Sequence, residues 1–203
     1  MDLLLRVTLD EVVAVWLGAE AHSDRFGALV GSLLQRDALP AALVTSPDLT
    51  DGQANAARLG LLREYRGFDQ ADTSFESYIG GLPVRDLGWW RVRIDAADVA
   101  RVHYINWDYW VQATGGTRLA ATFASEQPTG PDGQEAFYTA LRDAFVAGAS
   151  VPEIILVDSG PGTRLVVLEG HVRATAMAMA GASLKERTAL LGRGEVVAQQ
   201  WFY

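Results

Sequence analysis

Three side chains that could bind or act on a phosphate lie within five residues of one another: Glu169, His171 and Arg173, with Gly170 after the first. Residues 165–168, just before them, form an apolar run typical of a buried strand, and the alanine- and methionine-rich segment from His171 predicts a helix. A strand that passes into a helix through a glycine leaves backbone N–H groups free, and these favour an anion together with the helix dipole. Because a guanidinium can grip a phosphate with two parallel hydrogen bonds, we expect a phosphate or carboxylate site at this junction. We call residues 169–173 the box.

Each side chain of the box also has a structural interpretation that the sequence leaves open. Arg173 lies one helical turn after Glu169, where the two would form an ion pair without any ligand. His171 can act as an acid or a base near neutral pH, or bond to a backbone carbonyl at the helix start. Glu169 can cap the helix, hold Mg²⁺ beside a nucleotide, or bind a substrate amine.

The elements that position the box follow from hydrophobic spacing, capping residues and turns. Helices are predicted over residues 7–18, 26–34, 51–66, 95–104, 132–148 and 171–181, and strands over residues 41–45, 89–94, 153–157, 164–168 and 188–191. Asp95 and Asp98 form a capping-box-like start, and Asp132 is the expected cap of its helix. These elements predict an α/β fold of the α+β kind with a small mixed sheet. We expect residues 1–86 to be a helical extension packed on a core domain of residues 87–203.

From about Leu87 onward, the order of these parts resembles the ParB/sulfiredoxin superfamily. The matching segments are the strand W-W-R-V-R-I, the turn T-G-G-T-R, a helix, the strand V-P-E-I-I-L-V and the stretch L-V-V-L-E-G-H-V-R-A-T-A. The ParB box reads G-E-R-R, then an aromatic residue and R-A, so Gly170 and Arg173 match its first and fourth positions. Sulfiredoxins carry their catalytic cysteine where this chain has His171, which rules out a sulfiredoxin reaction. The acidic-Gly-His-His-Arg box of the superfamily's free-serine kinases is nearest to E-G-H-V-R.

The resemblance implies a nucleotide-dependent enzyme, a kinase-like transferase that moves phosphate to a hydroxylated or amino-acid-like small molecule. The implied cofactor is ATP, ADP or CTP with Mg²⁺. Arg118, after the turn that contains Gly116, falls where ParB proteins place another phosphate-contacting arginine; otherwise it is a loop arginine in water. The alternative function is a ParB-like nucleotide- or ligand-responsive binding protein without turnover.

The kinase branch also implies a general base from the loop after the first strand. Asp108, within the aromatic run I-N-W-D-Y-W-V, occupies that place, and Glu126 and Glu153 are weaker rivals. The aromatic side chains of the run, Trp107, Tyr109 and Trp110, can stack on a base or line a pocket, although such clusters more often form core.

Composition limits the partners. The chain has 17 basic and 25 acidic residues, a net charge of -8 and no basic run, which argues against nucleic-acid binding. It has no cysteine, so thiolate metal sites and cysteine nucleophiles are excluded. We predict no protein-only metal site. No apolar run approaches membrane-spanning length, and we expect a cytoplasmic protein that acts on a small molecule, with its oligomeric state open.

Overall fold

A computed structural model describes residues 1–68, 79, 81–126 and 135–203. Within them lie β1 (Asp2–Arg6), α1 (Leu9–Ala21), α2 (Gly27–Arg36), α3 (Ala42–Thr45), α4 (Gly52–Arg66), β2 (Gly88–Ile94), α5 (Ala96–Val99), β3 (Val102–His103), α6 (Asp108–Ala113), α7 (Ala120–Ser125), α8 (Glu135–Ala147), β4 (Ile155–Asp158), β5 (Leu165–Glu169), α9 (His171–Ala180) and β6 (Arg187–Arg193). The chain divides into two compact units. Val7–Leu87 forms the helical unit, and Met1–Arg6 together with Gly88–Tyr203 forms the sheet unit.

Capping side chains fix the starts of α1 and α4, the two longest helices described in the helical unit. Oγ1 of Thr8 accepts a hydrogen bond from the backbone N–H of Glu11 (3.2 Å), and the Asp51 carboxylate accepts one from the N–H of Gln53 (2.9 Å). Helix α4 ends at Gly67, whose φ of 65° lies in the left-handed region that favours glycine. The signals for α1 and α4 could be read from the sequence because each cap lies within three residues of the N–H group that it accepts from.

The sheet unit is built on a six-stranded sheet in the order β1-β2-β6-β4-β5-β3. The pairs β1–β2, β2–β6 and β4–β5 are antiparallel, whereas β4–β6 and β3–β5 are parallel. Every residue of β4 and the first four residues of β5 are buried, so the sheet carries its core in the middle strands. The predicted α/β fold of the α+β kind, with a mixed sheet, is confirmed.

Three local predictions differ from the structure. Residues 41–45, predicted as a strand, contain helix α3, and a buried arginine of α4, Arg58, donates to the carbonyl oxygen of Leu43 (3.0 Å) and holds this turn in place. Residues 95–104 begin with the expected capping box but divide into the short α5 and the strand β3. Strand β1 lies in the sheet unit, whereas the sequence grouped it with the helical extension. The expected cap Asp132 lies outside the described residues.

Candidate functional site

The junction between β5 and α9 depends on Gly170. This residue is the N-cap of α9 and adopts a left-handed conformation with φ of 93°. A Cβ atom placed there would lie 2.8 Å from Cγ2 of Ile154 and 3.1 Å from Cζ of Arg173. Glycine therefore fits the position for two reasons, the positive φ and the close approach of its neighbours. It also offers no side chain to accept from the first N–H groups of the helix.

The guanidinium of Arg173 bonds within the protein rather than facing open solvent. Its Nη2 donates to Oε1 of Glu169 at 2.6 Å, and its Nη1 donates to the carbonyl oxygens of Glu153 (2.6 Å) and Pro152 (3.1 Å). The Arg173 and Glu169 side chains are 12% and 14% exposed. The ion pair that the sequence left open as an alternative is therefore formed. A phosphate at this place would have to take over the position of the Glu169 carboxylate.

His171 lies beside two stacked aromatic rings. Its ring centroid lies 5.5 Å from that of Trp110, with an angle of 7° between the ring planes, and 5.9 Å from that of Tyr104, with an angle of 15°. The ring centroids of Tyr104 and Trp110 are 3.9 Å apart. We call the rings of Tyr104 and Trp110 the aromatic stack. Thr175 ties the stack to α9, because its Oγ1 lies 2.6 Å from the Tyr104 hydroxyl and donates to the carbonyl oxygen of His171.

The phenols around the aromatic stack are held in their neutral form. Burial raises the pKa of Tyr104 far above its ordinary value, and it raises the pKa of Tyr138 to about 12. Burial also raises the pKa of Tyr109, which is nevertheless 37% exposed. Trp110 is buried, as expected for a core aromatic residue. The stack therefore packs against α9 and supplies no phenolate base near neutral pH.

The candidate bases Asp108, Glu153 and Glu126 are each exposed or bonded to another residue. Asp108 is the first residue of α6 and is exposed, and Trp110 follows it by two positions. Residues two apart on a helix point about 200° apart around its axis, so Asp108 faces away from the aromatic stack. Glu153 is held by Arg91, whose Nε and Nη2 donate to its two carboxylate oxygens at 2.8 and 2.9 Å. Glu126 is exposed at the end of α7.

Arg118 occupies neither of the two environments that the sequence suggested for it. It follows Gly116 in the turn between α6 and α7, has a φ of 58° and is only 7% exposed. Its Nη1 donates to the carbonyl oxygen of Phe202 (3.1 Å) and its Nη2 to the main-chain oxygen of Tyr203 (2.6 Å). Burial, together with the charge of Arg164, lowers the pKa of Arg118. The side chain binds the segment around Phe202 instead of the box.

A cleft of about 480 Å³ in the sheet unit was not predicted from the sequence. Its lining includes Leu4, Arg93, Met177 and Arg187, and it contains none of the box residues. Arg187 is anchored there by donating to the carbonyl oxygens of Phe145 (2.7 Å) and Ala149 (2.8 Å) near the end of α8. The sequence carried no signal for this cleft, because its lining includes residues from β1, β2, β6 and the helices α8 and α9, which are far apart in the chain.

In residues 1–68, 79, 81–126 and 135–203, no group of three or more His, Asp or Glu side chains is arranged to hold a metal ion. None of the helices in the same part of the chain has the length and apolar character that crossing a bilayer requires.

Comparison with known proteins gives a plain result. No family model, curated protein or solved structure matches this chain. The resemblance to the ParB/sulfiredoxin superfamily therefore rests on the box and the order of the elements, and membership stays a prediction.

Proposed function

We propose that this protein binds a small phosphate-bearing ligand, a nucleotide, at the box and responds to it without turnover, as ParB proteins do. One observation supports this proposal above others. A carboxylate, that of Glu169, bonds to Arg173 at 2.6 Å immediately before the N-terminus of α9. An internal anion is therefore already present where the helix dipole and a guanidinium together favour negative charge. A phosphate, which carries more charge and more acceptor oxygens, would compete with that carboxylate for Arg173.

The residues at the junction carry chemical groups that can bind a phosphate. Arg173 supplies a planar guanidinium, and the first turn of α9, which begins at His171, lies at the positive end of the helix dipole. Displacement of Glu169 would leave its carboxylate close by, where the Mg²⁺ that accompanies a nucleotide could neutralise it. Ligand binding would then break one ion pair, and the carbonyl bonds from Arg173 to Pro152 and Glu153 connect that change to the segment before β4.

The geometry favours binding over phosphotransfer because the proton-transfer groups are poorly placed. A kinase-like reaction needs a base within hydrogen-bond reach of the acceptor hydroxyl. Asp108 faces away from the aromatic stack, and the His171 ring lies against Trp110 and Tyr104. Phosphotransfer to a hydroxylated or amino-acid-like substrate is the second candidate, and the acidic-Gly-His order of the box favours it.

The test is a thermal-shift and calorimetric titration with ATP, ADP and CTP, each with Mg²⁺, and with inorganic phosphate. We expect at least one nucleotide to raise the melting temperature. Arg173→Gln should abolish the shift. Glu169→Gln should bind about tenfold more tightly, because the competing carboxylate is gone. Arg142→Gln, which removes an exposed arginine paired with Asp143, is the matched control and should leave binding unchanged.

The outcomes separate the candidates. A protein that shows no shift with any nucleotide or with phosphate contradicts both functions. Equal or weaker binding by Glu169→Gln contradicts the competition on which the proposal rests. Release of nucleoside product in the presence of candidate acceptors, with loss of that release in Asp108→Asn, would favour phosphotransfer instead.

A further inference from the structure

Strand β1 is an edge strand whose whole length is exposed. It pairs with β2 on one side and ends the order of the sheet on the other. All five of its residues are exposed, and Leu3, Leu4 and Leu5 are exposed by 50%, 43% and 50%. A strand edge presents a row of unpaired N–H and C=O groups that can template another strand, and exposed apolar side chains add to that tendency. The three leucines of β1 therefore form an apolar surface on which another strand can pair.

The sequence of β1 is complementary to itself in the antiparallel direction. It reads D-L-L-L-R, with an acidic residue at one end and a basic residue at the other. When two copies are paired antiparallel about Leu4, Asp2 lies opposite the partner's Arg6, and leucine lies opposite leucine in between. A shift by one residue would break both charge pairs, and it would place either Asp2 opposite the partner's Leu5 or Arg6 opposite the partner's Leu3. Opposite charges and apolar pairs across a strand pair are favourable, so this register is selected.

A bulge at Leu4 interrupts the pairing of β1 with β2. Leu3 lies opposite Val92 and Leu5 opposite Arg91, so Leu4 is the additional residue and has no counterpart on β2. The charged residues at the two ends are also loosely held within the chain. Asp2 lies 3.6 Å from Nε of Arg93, beyond hydrogen-bond distance, and Arg6 lies over the Trp90 ring at 5.2 Å.

From these features we propose that two copies of this chain pair antiparallel through β1, which joins their sheets across a two-fold axis. The interface is isologous, because the same five residues serve both sides. The partner that fits this edge is a second copy, since the order of charges along β1 complements itself. This inference is independent of the ligand proposed for the box.

The experiment is sedimentation equilibrium of the full chain over a series of concentrations. The wild-type protein should show a reversible monomer–dimer equilibrium. Arg6→Asp makes both ends of β1 acidic and Asp2→Arg makes both ends basic, so each single variant should weaken the dimer at least tenfold. An equimolar mixture of the two variants should form a heterodimer, and the double variant Asp2→Arg/Arg6→Asp should recover the homodimer. Arg142→Asp, a charge reversal on the exposed face of α8, should leave the equilibrium unchanged.

Folding of each variant is checked by circular dichroism and thermal melting. The double variant loses the same internal contacts of Asp2 and Arg6 as the two single variants together, so its recovery reports complementarity between copies rather than repair of the fold. A wild-type protein that stays monomeric at all concentrations overturns the proposal. A dimer that the single reversals do not weaken, or one that neither the mixture nor the double variant restores, overturns it as well.

Discussion

Arg193 and Asp158 lie directly opposite each other on the neighbouring parallel strands β6 and β4 and are joined by two hydrogen bonds. Nε donates to Oδ1 at 2.7 Å, and Nη2 donates to Oδ2 at 2.6 Å. The Asp158 side chain is only 4% exposed and that of Arg193 is 18% exposed. Donating these hydrogen bonds to the Asp158 carboxylate raises the pKa of Arg193. This fork fixes the register of two strands in the middle of the sheet.

The first prediction concerns this ion pair. Asp158→Ala should lower the free energy of unfolding by about 3–5 kcal/mol, because it leaves a largely buried guanidinium without its partner. Arg193→Met in the same chain removes that unpaired charge, so the double variant should be more stable than the single variant. Urea unfolding of the three proteins measures both differences. A double variant that is less stable than Asp158→Ala would contradict the structural role given to the fork.

The second prediction compares two glycines with positive φ. In Gly162→Ala, at φ of 78°, the added Cβ has no atom within 4 Å. In Gly170→Ala, at φ of 93°, the added Cβ lies 2.8 Å from Ile154. Both variants carry the strain of the left-handed region, about 1–2 kcal/mol. Gly170→Ala adds the overlap with its neighbours, about 1–3 kcal/mol more. Denaturant unfolding should therefore rank Gly170→Ala as the less stable of the two, and equal stabilities would contradict the close approach at the junction.

The third prediction concerns Arg118. Arg118→Gln removes donors to the oxygens of Phe202 and Tyr203 and should destabilise the segment around them by about 1–3 kcal/mol. The backbone N–H of Asn106 donates to the carbonyl oxygen of Phe202 (2.9 Å), so its hydrogen exchange should accelerate. Arg164→Gln is the matched control, since Arg164 is exposed and also donates to Tyr203. If the hydrogen exchange of Asn106 accelerates equally in both variants, the buried Arg118 stabilises this segment no more than the exposed Arg164 does.

The fourth prediction is a pH dependence that arises from His103 in β3. Burial disfavours the charged ring and lowers the pKa of His103 below its ordinary value of 6.5, and the Arg164 and Arg118 guanidinium groups act in the same direction. The native state therefore binds this proton less readily than the unfolded chain. The stability that the neutral His103 ring contributes is fully present above the ordinary histidine pKa. It is lost as the pH falls through the lowered pKa of His103 in the folded protein.

His103→Gln should remove that part of the pH dependence. Its free energy of unfolding should change less than that of the wild type between about pH 7 and pH 5. His22→Gln, at an exposed position of the helical unit, is the comparison variant. Urea titrations at several pH values give the slopes, and a slope that His103→Gln leaves unchanged would contradict the assignment.

Local patterns predicted the elements around the box. The apolar run before Glu169 is β5, and α9 begins at His171 and ends before Gly181. The capping box of Asp95 and Asp98 also forms as expected, because both partners lie within one turn. Signals of this kind depend on residues a few positions apart, which the sequence displays directly.

The partners of the two arginines needed tertiary information. Spacing alone suggested the pair of Arg173 with Glu169. The carbonyl groups that accept from Arg173, those of Pro152 and Glu153, lie about twenty positions away on another segment. The acceptors of Arg118 lie still farther along the chain, at Phe202 and Tyr203. Strand β1 was missed for the same reason, since its partner β2 follows an entire compact unit.

Arg6 lies opposite Trp90, so the end of β1 and the beginning of β2 are neighbours although Val7–Leu87 separates them in the chain. The outer hairpin of the sheet is thus an ordinary β-hairpin whose turn is replaced by a self-contained helical unit. During translation the leucines of β1 emerge well before the strand they pair with, and they must wait while the helical unit folds. Among the described strands of the sheet, β1 is therefore the one whose first partner strand is synthesised after the longest delay.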